Sequence, residues 1–277
     1  MSMYKVLAIA GSDCSGGAGI QADIKTITAL GAYAMSAVTA LTAQNTTGVY
    51  GISDAEPDFV GLQLDCVFTD IFPDAVKIGM VSNVRIIGVI ADKLAQYAAA
   101  NVVLDPVMAA ASGGRLIADD AIGAVIERLF PLARVVTPNI PEAEIICGFK
   151  ITDAARMAEA AAKIAEAPGF NGAVLLKGGH LFGADDSDDL LYINGAPVWI
   201  RGGRIANPNT HGTGCTLSSA IACGLASGLG VEQSAREAKE YLSGALGAML
   251  DLGSGRGPLD HFYAARSPKV HRSFIKN

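Results

Sequence analysis

The sequence predicts an α/β fold with a mainly parallel sheet covered by helices on both faces. Two observations lead there. Short, continuous apolar runs recur along the chain, most of them followed by a stretch with helical spacing of apolar residues. The residues directly after these runs are unusually polar or rich in glycine and proline. Continuous apolar strands belong to sheets buried on both faces, and their alternation with helices makes such a sheet parallel. Ligands of these sheets sit just beyond the C-terminal ends of the strands, so the polar segments that follow the strands are the candidate site.

In chain order, residues 6–10 form an apolar strand that ends in the glycine-rich loop 11–19; Ile20, Ile24, Ile27 and Leu30 then repeat at helical spacing. Residues 38–46 begin β-prone and turn polar at Gln44. Strand 75–78 is followed by helix 84–95. Strand 102–104 ends at Asp105-Pro106, and strand 134–136 at Thr137-Pro138-Asn139. The alanine-rich stretch 154–166 is a helix, and strand 173–176 ends at Lys177-Gly178-Gly179-His180. Residues 190–200 read as a hairpin, and 215–225 and 234–250 as helices.

Composition bounds the function. The 277 residues are 51% hydrophobic, enough to fill a large core. No linker, repeat or low-complexity tract divides them, which predicts a single domain over 1–277. A net charge of −6 and a pI near 5.2 leave no electrostatic footprint for nucleic acid. A polyanion would have to be held by local devices such as a helix N-terminus, a metal or one or two lysines. The five cysteines form no CxxC pair and no zinc spacing. Their odd number, with no secretory leader, predicts reduced thiols and a cytoplasmic location. No apolar run is long enough to span a bilayer.

The segment with most chemistry is 209–220. Gly212-Thr213-Gly214 opens a helix of small residues, and a helix N-terminus offers unpaired N–H groups and partial positive charge. Glycines let an anion approach the backbone. This is an anion hole suited to a transferring phosphoryl group. Cys215 falls in the first turn, where a depressed thiol pKa is expected; taken alone, it reads equally well as a buried structural cysteine. The loop 11–19 carries neither the Gly-Lys-Ser/Thr of a P-loop nor GxGxxG. Gln44 at a strand end offers an acceptor and two donors to a heterocycle edge, or is simply a turn residue. Asn139 and Glu142, three apart in a proline-stiffened loop, can face one site or start a helix. Lys177 is placed to reach the mouth of the sheet. Met80 and Val107 suit apolar walls, and Asp105 a metal and phosphate region.

The run Asn209-Thr210-His211-Gly212-Thr213-Gly214-Cys215-Thr216-Leu217-Ser218 resembles the hydroxymethylpyrimidine/phosphomethylpyrimidine kinases of thiamine synthesis. These are a branch of the ribokinase-like superfamily in which Cys replaces the acidic residue after Gly-Thr-Gly. The likeness extends from about Leu7 to about Leu250. It implies a ribokinase-like three-layer α/β/α sandwich and transfer of phosphate from ATP, with Mg²⁺, to 4-amino-5-hydroxymethyl-2-methylpyrimidine and its monophosphate. It also implies a homodimer. By the same resemblance, Gly212, Thr213, Gly214 and Cys215 are catalytic, and Gly11, Ala18, Asp23, Gln44, Met80 and Val107 face the substrate. Asn139, Lys177 and Thr210 hold ATP, and Glu142 with Asp105 holds the metal.

One departure stands out: Ala111 and Gly114 occupy positions where the family has Lys and Asp, which puts the second phosphorylation in doubt. A pyridoxal kinase is the nearest alternative, with Gln44 arguing against it. A cysteine hydrolase using Cys215 and His211, and a non-catalytic vitamin-binding module, are the others. The tail 253–277 carries no readable signal, and His261 and His271 are expected to be solvated.

Overall fold

The computed structural model describes residues 3–108, 119–179 and 186–266. Nine strands form one sheet in the order β3-β2-β1-β4-β5-β6-β7-β8-β9. The strands β1 (Lys5–Asp13), β2 (Tyr33–Asn45), β4 (Ala75–Ile78), β5 (Val102–Leu104), β6 (Val135–Val136) and β7 (Ala173–Leu176) run parallel. The edges are antiparallel: β3 (Gly48–Asp54) pairs with β2, and the hairpin β8 (Asp189–Ile193) and β9 (Ala196–Ile200) closes the other side.

Alternation within β1 explains the layers. Leu7 and Ile9 enter one core with Val60, Leu64, Ile86, Ile90, Met157 and Ile164, on the face covered by α2 (Pro57–Phe68), α3 (Val84–Gln96), α4 (Asp119–Ala124), α5 (Ile140–Cys147) and α6 (Ala154–Ala165). Val6 and Ala8 enter the other, with Ile27, Leu217, Ile221 and Leu242, under α1 (Gly19–Ala29), α7 (Thr213–Ala226) and α8 (Val231–Gly247). The chain therefore has the three-layer α/β/α sandwich that the resemblance implies. Helix α2 and edge strand β3 were not anticipated. Among the described residues no helix is long and apolar enough to cross a membrane.

Strands β4 to β7 are parallel neighbours of two to four residues each. The residues after them, and the start of α7, consequently converge on one end of the sheet.

Candidate active site

A cavity of about 770 Å³ lies at that end. Its walls come from Gly11 and Asp13 at the end of β1, Thr42 and Gln44 at the end of β2, and Met80 after β4. Asp105 and Val107 after β5, Asn139 and Glu142 at the start of α5, Lys177 after β7, and 210–215 complete it. Every sequence-predicted site residue except Asp23 lines this one space.

The floor is the start of α7. Its N-cap, Gly212, has φ +85, and a Cβ there would stand 2.0 Å from the Gly17 carbonyl oxygen. Only glycine serves there. The close approach presses the 210–214 turn onto the glycine-rich loop after β1. No side chain caps α7, which leaves the amides of Gly214 and Cys215 without helical partners. The Thr213 amide is already engaged, donating to the Thr210 carbonyl at 3.3 Å.

Asp13 ties the two loops together. Its carboxylate accepts from the amides of Ser15, Gly17 and Ala18, from the Ser15 hydroxyl, and bonds His211 Nε2 at 2.8 Å. Burial would raise its pKa, but the bonds from His211, Ser15 and Ala18 outweigh that and hold it at about 2. His211 thus has Asp13 as its partner, and no hydrogen bond between His211 and Cys215 is found among the described residues, so the hydrolase reading lacks its base. An Asp heading a Ser-Gly-Gly loop is itself a turn signal, and Asp13 was legible on that ground.

The opposite wall carries charge. Lys177 Nζ donates to Asp105 Oδ1 at 2.7 Å, and the Thr137 hydroxyl donates to the same oxygen. Glu142 forms a capping box with Asn139: each side chain accepts from the other's backbone amide at 2.9 Å. Both readings of this pair hold at once, since the cap is what aims the Glu142 carboxyl inward. Burial pushes the Glu142 pKa up to about 7, opposed by Lys177 and reinforced by Asp105. Burial works against the Lys177 ammonium too, but Asp105 and Glu142 reverse it and raise its pKa. The first turn of α7 abuts this wall, because a Cβ on Gly214 would lie 3.1 Å from Asp105 Oδ2 and 3.4 Å from Lys177 Nζ.

This donor set fits Mg²⁺. Two buried carboxylates stand beside one lysine, and a carboxyl pushed to about 7 by burial gains from a cation. Among the described residues no group of three or more His, Cys, Asp or Glu forms a cage. A cation that keeps its waters and shares phosphate oxygens needs only one or two carboxylates.

Three expectations are corrected. Cys215 is half-buried, and desolvation raises its thiol pKa to about 11. The Lys77 ammonium and the Gly19 amide lower it, but the helix N-terminus does not win. Asp23 does not line the cavity. It is fully buried on α1, where Lys77 Nζ bonds both carboxylate oxygens at 2.8 and 2.9 Å and Ser219 donates at 2.8 Å. Nor is His261 solvated: it is 3% exposed, with Nε2 3.0 Å from the Thr216 hydroxyl. The segment around it brings Arg256 into the cavity wall and pins itself by Arg256 N–H to the Thr46 carbonyl and His211 N–H to the Gly257 carbonyl. These pairings join positions some two hundred or forty-six residues apart, and no local pattern announces them. Ala111, Gly114, His180 and His271 lie outside the described residues.

The phosphomethylpyrimidine kinase family model matches residues 13–260. The hydroxymethylpyrimidine/phosphomethylpyrimidine kinase of Rhizobium meliloti is 50% identical over 260 residues, covering 93% of this chain and 96% of the relative. The thiamine biosynthesis bifunctional protein ThiED of Geobacter sulfurreducens is 51% identical over 94% of this chain, which spans about half (52%) of that relative's length. Among solved structures, phosphomethylpyrimidine kinase from Clostridium difficile is 43% identical, with a TM-score of 0.76 over 87% of this chain and 98% of that one. An ADP complex of Bacillus subtilis pyridoxal kinase is 35% identical, with a TM-score of 0.87 over 95% and 99%.

Proposed function

This chain belongs to the phosphomethylpyrimidine kinase family, and from that premise we propose that it transfers the γ-phosphoryl group of ATP to the hydroxymethyl oxygen of 4-amino-5-hydroxymethyl-2-methylpyrimidine, and a second one to the resulting monophosphate, in thiamine biosynthesis. The observation that carries the reading is the convergence, in one cavity, of an uncapped helix N-terminus, a buried carboxylate pair with its lysine, and a glutamine edge.

The ring lies between Met80 and Val107, with Gln44 on its polar edge and Gly11 and Ala18 beneath. ATP lies along Asn139, Lys177 and Thr210. Glu142 and Asp105 would hold Mg²⁺, which when bound would supply positive charge against the phosphates. The hydroxymethyl oxygen attacks phosphorus in line, a new O–P bond forms, and the bond to the β-phosphate oxygen breaks to release ADP. Gly214 and Cys215 amides, at the turn set by Gly212 and Thr213, face the equatorial oxygens. The Cys215 thiol orients the hydroxyl, and its thiolate, formed by losing a proton to solvent, accepts the hydroxyl proton as the O–P bond forms. A loose transition state makes no demand for prior deprotonation. The same reading takes the enzyme as a single-domain cytoplasmic homodimer, and the five free thiols suit a reducing compartment.

Steady-state phosphorylation with ATP and Mg²⁺ tests it, comparing the pyrimidine, its monophosphate and pyridoxal, with Cys215→Ala alongside. The pyrimidine is expected to have the highest kcat/KM and the variant to lose kcat. Pyridoxal is the second reading, favoured by the likeness to the B. subtilis pyridoxal kinase structure. A preference for it would leave the chemistry standing and overturn the substrate.

A further inference from the structure

Lys77 is a fully buried charge that the mechanism above does not use. It stands in the middle of β4, at the centre of the sheet, with 0% exposure, and so does its partner Asp23 on α1. A buried ion pair is weak evidence for stability, because apolar replacements of similar volume commonly do as well or better. Its position points to another role.

Cys215 and Ser219 are four residues apart on α7, so they share a face. Gly19 and Asp23 are four apart on α1 and face them. The Ser219 hydroxyl donates to Asp23 Oδ1 at 2.8 Å, which ties α7 to α1 one turn along from Cys215 and Gly19. Lys77 Nζ holds both Asp23 oxygens from below. A Cβ on Gly79 would lie 2.6 Å from Lys77 Nζ, and Met80, the next residue, is a cavity wall. The ammonium therefore lies against Gly79, next to the residue that forms this wall.

Resting on the function proposed above, we propose that Lys77, anchored by Asp23 and Ser219, is a positioning residue that acts through Cys215, holding its sulfur against α1 and stabilising negative charge on it. The charged groups acting on Cys215 are Lys77 and Lys177 on the positive side, and Asp23 and Asp105 on the negative. Lys77 favours charge on the sulfur, and Asp23, which opposes it, is itself held by Lys77 and Ser219. When the thiol ionises, its proton leaves to solvent and the ammonium is the compensating charge.

The test is the rate of Cys215 alkylation by iodoacetamide at pH 8 in the ligand-free protein, resolved by peptide mass spectrometry, with exposed Cys14 as internal reference. Lys77→Met/Asp23→Asn removes both charges and leaves Ser219 an acceptor. It is expected to slow Cys215 alkylation about tenfold, the equivalent of one pKa unit. Cys14 is expected to react as before, and kcat to fall at least about tenfold with KM for the pyrimidine within about twofold. Should the double variant not fold, Ser219→Ala is the second arm: loss of one buried hydrogen bond is expected to lower kcat roughly fivefold. An unchanged Cys215 rate, or a lower melting temperature with unchanged kcat in either variant, overturns the proposal. Because alkylation needs no substrate, a wild-type protein that phosphorylates no pyrimidine refutes the proposed function without deciding this one.

Discussion

Replacing Gly212 by alanine strikes the contact that joins the two substrate loops. The residue sits at φ +85, where a Cβ costs about 1–2 kcal/mol. That Cβ would also stand 2.0 Å from the Gly17 carbonyl oxygen, a backbone atom that no rotamer change can move aside. Side-chain carbons keep at least about 3 Å from such an atom, so the turn at 210–214 and the loop at 16–18 must part by about 1 Å. A displacement of that size at the reacting centre costs on the order of a hundredfold in rate. We expect Gly212→Ala to lose about 10²-fold in kcat/KM for pyrimidine phosphorylation. Its melting temperature should fall by about 5 °C, since each kcal/mol is worth about 2–4 °C in a chain of this size. Gly88→Ala is the control: Gly88 lies within α3 with open space around its Cα, and alanine there is expected to leave activity unchanged and stabilise slightly. Activity of Gly212→Ala within roughly threefold of wild type, with an unchanged melting temperature, would refute the reasoning that this close contact sets the anion-hole geometry.

Three more outcomes follow from the same geometry. The Asp13 carboxylate is held at about 2 against an ordinary 3.8, a depression worth roughly 2.5 kcal/mol. That stability is present above pH 3.8 and lost as pH falls through about 2, so denaturation of Asp13→Asn should lie below wild type by about that much at pH 6, with the gap closing in acid. His261 is neutral in the fold, its pKa lowered to about 4 by burial and by Lys25. The unfolded chain binds that proton first as pH falls from 6.5 to 4, and wild type should lose up to roughly 3 kcal/mol more than His261→Gln over that range in urea titrations. Gln44→Ala should raise KM for the pyrimidine by about tenfold, the loss of one or two hydrogen bonds, with KM for ATP within about twofold; an equal rise in both would place Gln44 elsewhere than on the heterocycle.

Much of this site was readable because strand ends carry chemistry that packing does not require. Asn139, Glu142 and Lys177 follow apolar strands of two to four residues, and alternation alone puts them at one end of a parallel sheet. Gly212-Thr213-Gly214 announced a helix start, and the helix begins at Thr213. What failed was burial. Asp23 looks like a solvated or substrate-facing helix position, yet its partner Lys77 lies 54 residues away on β4, and only the packing of α1 on the sheet brings them together. The same blindness misjudged Cys215: the helix N-terminus is a local feature, whereas the desolvation that raises the thiol to about 11 comes from burial, which no local pattern shows. Edge strand β3 was missed because most of it is exposed and it carries no apolar alternation.

The central claim is that this cavity couples ATP cleavage to phosphorylation of a hydroxymethylpyrimidine. Its most direct test is phosphorus NMR of wild-type protein with ATP, Mg²⁺ and the pyrimidine, following ADP, inorganic phosphate and phosphomonoester together. The account predicts one ADP for every phosphoryl group carried by the pyrimidine, one in the phosphomonoester and two in the diphosphate that follows it, all dependent on the pyrimidine and nearly absent with Gly212→Ala. Release of inorganic phosphate in place of the ester, or no turnover at all, would contradict it.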